Sequence, residues 1–304
     1  MQLLPIFDPS NSSSTQLLNS STPPLLHPTM PTILVPTDFS KCSTNALNYA
    51  LAYADQLGAE VHLLNVLFPS EGVDSNMYNA FWTYDYLTQR NKVLSDWIKR
   101  FQRRSPFPDV PLRSSCVLGF PVPTICEEAE EMGADLIVMG TTGATGIKEM
   151  LLGSITAGVL TRTRIPLLAV PQEASYNPTG NVVYATDYNM KIGANSMLML
   201  QRFLELGHSK LRVVHILDKI GEQRNEEREQ VLSAQLQNID HDFQYIQDRD
   251  VAQAVSDYVV SVDAYALMAV AHEHSLMNRL LYESITRKLV HRTHIPFLVL
   301  HDEH

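Results

Sequence analysis

The segment "ADLIVMGTTGATGIKEMLLGSIT", Ala134 to Thr156, decides the fold of this chain. It opens with the apolar run of a buried strand and then places Gly140, Gly143, Gly146 and Gly153 within fourteen residues. Ser154 and Thr156 follow, at the start of a segment with helical spacing. A buried strand, a glycine-rich turn and a helix in this order predict one βα unit of a parallel sheet.

The same alternation extends outward from this segment. Continuously apolar strands are expected at "TILVPT", "EVHLLNVL", "VPLRSSCVLG" and "IPLLAVP", with amphipathic helices between them. Strands of this kind are typical of a parallel sheet that is covered on both faces. The first helix, for example, carries Leu47, Ala50, Leu51 and Ala54 at helical spacing and ends at Gly58.

A second copy of the pattern follows the first. "LLGSITAGVLTRTRIPLL", residues 151–168, aligns without gaps on "LYESITRKLVHRTHIPFL", residues 281–298, with nine of eighteen positions identical. This internal repeat predicts two homologous domains, at 30–171 and 181–304, joined by a linker at 172–180. Residues 1–29 are rich in Ser, Thr, Asn and Pro and are expected to form a disordered tail.

Composition narrows the class of protein. The net charge of −10 leaves no basic surplus for a general nucleic-acid binder. Three cysteines without a CxxC pair indicate reduced thiols in a cytoplasmic protein. No apolar run approaches the roughly 18–20 residues of a membrane span.

The glycine-rich turn does not match the common phosphate-binding motifs. GxxxxGK[ST] and GxGxxG are both absent, and the pattern present is G-x2-G-x9-G-S, formed by Gly140, Gly143, Gly153 and Ser154. Glycines allow close backbone approach to a ligand and positive φ, and a helix N-terminus favours a phosphate. The hydroxyls of Ser154 and Thr156 can add donors. The alternative is an ordinary turn with an N-cap serine, but three such glycines favour a nucleotide phosphate site.

"VPTDFS", the Gly-Phe-Pro of "LGFPVP", "ADLIVMG" and G-x2-G-x9-G-S together resemble the universal stress protein family. The resemblance covers residues 32–171 well and residues 181–300 more weakly. It implies two tandem α/β domains, each a five-stranded parallel sheet in the order 3-2-1-4-5 with helices on both faces. It also implies binding of ATP, or of AMP or ADP, and pairing of the two fifth strands as an intrachain pseudo-dimer, with a homodimer as a further form.

The resemblance also implies a set of site residues. Val66 would meet adenine through its backbone, and Asp38 would bind the ribose or a nucleotide-bound Mg²⁺ unless it caps the first helix, which Ser40 can do instead. Thr142 and Ala144 stand where some members carry Arg and His, which lowers the affinity expected for phosphates. The full set of expected nucleotide-binding residues is Pro36, Thr37, Asp38, Val66, Met139, Gly140, Thr142, Gly143, Gly153, Ser154, Ile155 and Thr156.

The second copy has lost the three glycines of the motif. At the constant offset of 130, Gly140, Gly143 and Gly153 become Val270, Glu273 and Glu283. Two carboxylates would therefore stand where phosphates would bind. The second domain is expected to be structural and to bind no nucleotide in the family's manner.

Three functions remain open at this point. The first is an ATP-binding stress-response or regulatory protein that is not an enzyme. The second is an interaction or dimerisation module without nucleotide. The third is a weak ATPase, for which no GxSxG, Cys-His or HIGH motif supplies a catalytic group.

Overall fold

The computed structural model describes residues 30–68, 80–141, 153–188, 191–218, 223–271 and 295–301, with the backbone alone at 80–84. The first half of the chain alternates strands and helices as the sequence predicts. Its strands and helices are β1 (Thr32–Pro36), α1 (Lys41–Leu57), β2 (Glu60–Leu67), α2 (Ala80–Gln102), β3 (Leu112–Leu118), α3 (Pro121–Glu131), β4 (Leu136–Gly140), α4 (Ser154–Arg162) and β5 (Leu167–Val170).

The second half repeats this order of elements. Its second helix is much shorter, with 10 residues against 23 in the first half, which accounts for most of the length difference between the repeats. The elements are β6 (Asn181–Ala185), α5 (Ala194–Gly207), β7 (Lys210–Leu217), α6 (Glu226–Gln235), β8 (His241–Gln247), α7 (Val251–Ser261), β9 (Ala264–Ala271) and β10 (Phe297–His301).

All of these strands belong to one ten-stranded sheet in the order β3-β2-β1-β4-β5-β10-β9-β6-β7-β8. Within each half the order is the expected 3-2-1-4-5 and the pairing is parallel. One apolar cluster lies on each face of the sheet, as the continuously apolar strands predict. Membership of an α/β fold with two such halves is therefore established by the topology itself.

The two halves meet at an antiparallel pair of strands. β5 and β10 pair with Leu168 opposite Leu298, and these two leucines are equivalent positions of the internal repeat. Equivalent residues that face each other across antiparallel strands place an approximate two-fold axis at that point. The expected pairing of the fifth strands within one chain is confirmed.

Helices α1 and α5 also pack together across this joint. Tyr53 contacts Phe203 with ring centroids 5.8 Å apart, and its hydroxyl donates to the sulfur of Met199 at 3.6 Å. Tyr176, which follows β5, packs edge-on against Tyr49 at 5.0 Å. Apolar and aromatic burial therefore joins the two halves beside the sheet as well as through it.

The two halves differ where the first helix begins. Four residues, 37–40, connect β1 to α1, whereas eight residues, 186–193, connect β6 to α5. Helix α5 is accordingly shorter, with 14 residues against 17. No helix in the described ranges is both long and apolar enough to cross a membrane.

We predict that Leu298→Ala lowers the free energy of unfolding by about 2–5 kcal/mol, because Leu298 is fully buried at the joint between the halves. Leu198→Ala is the control, since Leu198 is 48% exposed on α5 and its truncation should cost less than about 0.5 kcal/mol. Urea unfolding of both variants measures the difference. Equal, small losses would contradict the packing of this joint.

Candidate functional site

The candidate site lies at the carboxyl ends of β1, β2 and β4. The strand order reverses between β1 and β4, since the connections from β1 and from β4 run to opposite sides of the sheet. Open α/β sheets bind ligands in the crevice at such a switch point. The predicted residues that the structure describes lie in the last residues of these strands, directly after β1, or at the start of α4.

The turn after β1 is held by a set of hydrogen bonds around Thr37. Its amide donates to the carbonyl of Leu64 at 2.8 Å, and its own carbonyl accepts from Nδ2 of Asn65 at 2.8 Å. Its buried hydroxyl accepts from the amide of Phe39 at 3.0 Å and lies 3.2 Å from the hydroxyl of Ser43. Pro36, the last residue of β1, is buried opposite Leu64. Thr37 and Pro36 therefore shape the turn.

Asp38 is exposed at the tip of this turn. Ser40, not Asp38, caps α1, because the Ser40 hydroxyl accepts from the amide of Ser43 at 3.1 Å. One carboxylate oxygen of Asp38 accepts from the amide of Ser40 at 3.0 Å, and Phe39 between them has φ 61°. The turn thus presents a carboxylate at the switch point while another residue performs the capping.

The backbone of Val66 is directed toward the site. In a parallel strand, alternate residues point their N–H and C=O groups to opposite neighbours. The carbonyl of Leu64 faces β1, where it accepts from Thr37, and the carbonyl of Leu67 faces β3, where it accepts from Gly119 at 2.9 Å. Val66 therefore points to the β1 side, beyond the last β1 residue paired with β2. This geometry suits the backbone contact expected of Val66.

At the end of β4, Met139 and Gly140 are paired with β5 in regular register. The side chain of Met139 is buried, so only its backbone faces the edge. The expectation that Gly140 takes positive φ is wrong. Among the described glycines, those with positive φ are Gly58, Gly133 and Gly180. A Cβ at Gly140 would lie 2.8 Å from Sγ and 3.0 Å from the carbonyl carbon of Cys42. Gly140 thus allows the first turn of α1 to pack on β4.

Helix α4 begins at the same edge. Gly153 is its N-cap residue, with φ −55° and no side-chain hydrogen bond, and its amide donates to the carbonyl of Thr141 at 2.6 Å. Ser154 and Ile155 in the first turn are exposed. Amides of a first helical turn have no partner within the helix and favour an anion. Gly153 itself places no side chain over these amides.

Thr156 serves a different purpose from the one expected of it. Its hydroxyl is buried and donates to the carbonyl of Gly140 at 2.8 Å. Because a hydroxyl has a single hydrogen, this bond uses the donor that the sequence assigns to a phosphate. Thr156 instead fastens α4 to the end of β4. The remaining expected residues, Thr142 and Gly143, lie outside the described residues.

The corresponding edge of the second half keeps the turn but changes the helix. Tyr188 has φ 61° and donates its amide to the hydroxyl of Thr186 at 3.0 Å, as Phe39 does to Thr37. Val182 pairs with Ala266 as Ile33 pairs with Leu136, so Val270 occupies the position of Gly140. Val270 is 2% exposed, and the connection from β6 to α5 is four residues longer than that from β1 to α1. Glu273 and Glu283 lie outside the described residues.

A network that sequence reasoning did not detect lies beside this second edge. Arg224 donates to the carboxylate of Glu229 at 2.7 Å and lies over the ring of Tyr245, whose hydroxyl donates to Glu229 at 2.8 Å. The hydrogen bond from Arg224 lowers the pKa of Glu229. Burial raises the pKa of Tyr188, which stacks on Tyr245 at 6.1 Å. This edge therefore combines stacked aromatic rings with a paired charge.

Among the described residues, no group of three or more His, Cys, Asp or Glu side chains is placed to hold a metal ion. The three cysteines are buried and form no disulfide, and burial raises the pKa of the Cys116 and Cys126 thiols.

Comparison with known proteins gives consistent matches. The model of the "Universal stress protein family" matches residues 30–171. A universal stress protein of Methanocaldococcus jannaschii is 32% identical over 136 residues, which are 45% of this chain and 79% of that protein. A second from the same organism is 30% identical over 152 residues, covering 46% of this chain and 94% of that protein. The crystal structure of a universal stress protein from Archaeoglobus fulgidus shares the fold, with TM-score 0.67 and 19% identity over 89% of this chain and 96% of that chain.

We predict that Gly140→Ala lowers the free energy of unfolding by about 1–3 kcal/mol, because the new methyl group overpacks the contact with Cys42. Adding Cys42→Ala should recover part of this loss, since it removes the 2.8 Å sulfur contact and leaves the backbone contact. A double-mutant cycle by urea unfolding measures the coupling. Strictly additive losses would show that the Cys42 sulfur is not the reason for a glycine at this position.

Proposed function

We propose a function that follows from one premise: this chain belongs to the universal stress protein family. The first half binds an adenine nucleotide, ATP in the leading form, at the carboxyl edge of β1, β2 and β4. Nucleotide occupancy then regulates how the protein acts in a stress response. The second half is structural and completes the sheet.

The observation that carries this proposal is a convergence at the switch point. The exposed carboxylate of Asp38, the backbone of Val66 and the N-terminus of α4 all lie at the carboxyl ends of strands in the first half. A nucleotide needs three kinds of partner, for base, ribose and phosphate. The switch point presents one candidate of each kind in strand order β2, β1, β4.

The residues fit the nucleotide group by group. The N–H and C=O of Val66 match the donor and acceptor pattern of a base edge. The Asp38 carboxylate can accept from a ribose hydroxyl or bind a Mg²⁺ held by the phosphates. The first-turn amides of α4, at Ser154 and Ile155, favour phosphate oxygens, and Gly153 adds no side chain in their way.

The proposal assigns the nucleotide to one half only. Val270 stands in place of Gly140, and the β6–α5 connection is four residues longer than the β1–α1 connection. In the sequence, Glu273 and Glu283 would bring carboxylates toward phosphates of like charge. We therefore infer one nucleotide per chain.

We also infer that the protein binds nucleotide without turning it over. The support is the sequence, which carries no motif that pairs a nucleophile or water with an activating base. The second candidate is a nucleotide-free interaction module, and the third is a weak ATPase. Mass spectrometry of nucleotide released from purified, denatured protein separates the first two, and phosphate release from added ATP detects the third.

The remaining proposals concern location and assembly. We propose a cytoplasmic protein, supported by three buried thiols that form no disulfide. Within the chain, the β5–β10 joint serves the role of a dimer contact. A homodimer of whole chains stays a prediction.

We predict that Gly153→Glu lowers the affinity for ATP at least about a hundredfold. The substitution places a carboxylate at the N-terminus of α4, where it repels phosphate and disrupts charge-assisted hydrogen bonds worth roughly 1.5–3 kcal/mol each. Gly193→Glu is the matched control, because Gly193 is likewise a glycine N-cap without a side-chain bond, at the start of α5. Its variant should bind ATP as the parent does.

Isothermal titration calorimetry on the parent and both variants decides the assignment. Two sites per parent chain would contradict the restriction to one half. Undiminished binding in Gly153→Glu, or an equal loss in Gly193→Glu, would contradict the phosphate site at α4.

A further inference from the structure

An exposed aromatic residue stands next to the candidate site without a role in the fold. Phe120 is 62% exposed and directly follows the end of β3 and Gly119. Its ring makes an edge contact with Phe68, which follows β2, with centroids 5.2 Å apart and planes at 67°. The two rings therefore lie together at the carboxyl edge of the sheet.

Phe120 occupies a position where local chemistry favours a different residue. It is the N-cap residue of α3, with φ −81° and ψ 124°, and makes no side-chain capping bond. Ser, Thr, Asp and Asn are preferred at this position because their side chains accept from the first helical amides. Departures from local rules of this kind concentrate at functional sites.

The second half follows the local rule at the equivalent position. The amide of Asp248 donates to the carbonyl of Leu217 as that of Gly119 does to Leu67, and the second half then has one additional residue, Arg249, before the N-cap of its helix. Asp250 is the N-cap residue of α7 and accepts from the amide of Gln253 at 3.1 Å. Asp218 stands where the first half has Phe68. The aromatic pair belongs only to the half that carries the proposed nucleotide site.

We infer that Phe120, supported by Phe68, is the stacking surface for the adenine base. This inference rests on the proposed nucleotide site and adds a base-binding residue to it. β2 lies between β3 and β1, and neighbouring strands are about 4.8 Å apart. The rings that follow β2 and β3 thus lie within about one strand spacing of the end of β2, where the backbone of Val66 would hold the edge of the base.

The chemistry of the two contacts is complementary. Val66 offers backbone groups that recognise the edge of the base, and Phe120 offers an aromatic surface to its face. Stacking on an exposed aromatic ring acts on the base, and its contribution to binding does not depend on the number of phosphates. Phe120 therefore contributes to affinity through the base alone, and the α4 N-terminus through the phosphates alone.

The test compares Phe120→Asn with Phe120→Tyr in the full chain. Asn removes the ring and supplies a good N-cap, so the variant should fold at least as stably as the parent. We expect its affinity for ATP to fall at least fivefold, equivalent to about 1 kcal/mol at 1.4 kcal/mol per tenfold. Phe120→Tyr keeps a stacking ring and should retain parental affinity. Val260→Asn, at a 64% exposed position on α7, is the remote control.

Competition by tripolyphosphate separates the base from the phosphates. Its ability to displace ATP, corrected for ATP affinity, should be the same in the parent and in Phe120→Asn. If tripolyphosphate does not displace ATP from the parent, the ATP affinities of Phe120→Asn and Phe120→Tyr decide the inference alone. Unchanged ATP affinity in Phe120→Asn, or an equal loss for tripolyphosphate, overturns it while leaving the proposed function intact. A parent that binds no ATP overturns both.

Discussion

The antiparallel pairing of β5 with β10 is the contact on which the rest of the structure depends. Each half ends its own sheet with an apolar strand, and an unpaired edge of that kind would expose both backbone groups and buried-type side chains. When β5 pairs with β10, neither strand is left as an unpaired edge, and Leu168 faces Leu298 at the approximate two-fold axis. The internal repeat makes this possible, because two equivalent edges of one chain are self-complementary in the way that the edges of two identical subunits are.

Once the halves share one sheet, their sites are free to diverge. The connections β1–α1 and β6–α5 begin with the same turn, with positive φ at Phe39 and Tyr188. The helices that follow do not start alike, and this difference accompanies the change from Gly140 to Val270. A glycine that would be attributed to ligand binding is thus also a packing requirement, since α1 lies against β4 too closely for a side chain. In the second half Val270 stands at this position, and the helix that follows the first strand begins later.

The two halves also differ in the N-cap residue of the third helix. Its N-cap residue is an exposed Phe120, whereas α7 in the second half has a hydrogen-bonded Asp250. Local helix stability and an aromatic surface at the edge of the site are alternatives at this position, because one residue cannot supply both. A comparison of the two halves therefore shows that the fold itself does not require an aromatic residue at this N-cap.

The sequence by itself determined the alternation of strands and helices, the repeat, and the segment in which the candidate site lies, because burial and helical periodicity leave direct patterns in the order of residues. Gly58 as the end of α1 and Ser40 as its cap were readable in the same way, being local contacts. Only the tertiary structure decided what Gly140, Thr156 and Phe120 do. Their partners are Cys42, the carbonyl of Gly140 and Phe68, the first and last of which are far away in sequence. A local pattern records which residues suit a turn or a helix, but not which distant atoms the packed chain brings against them.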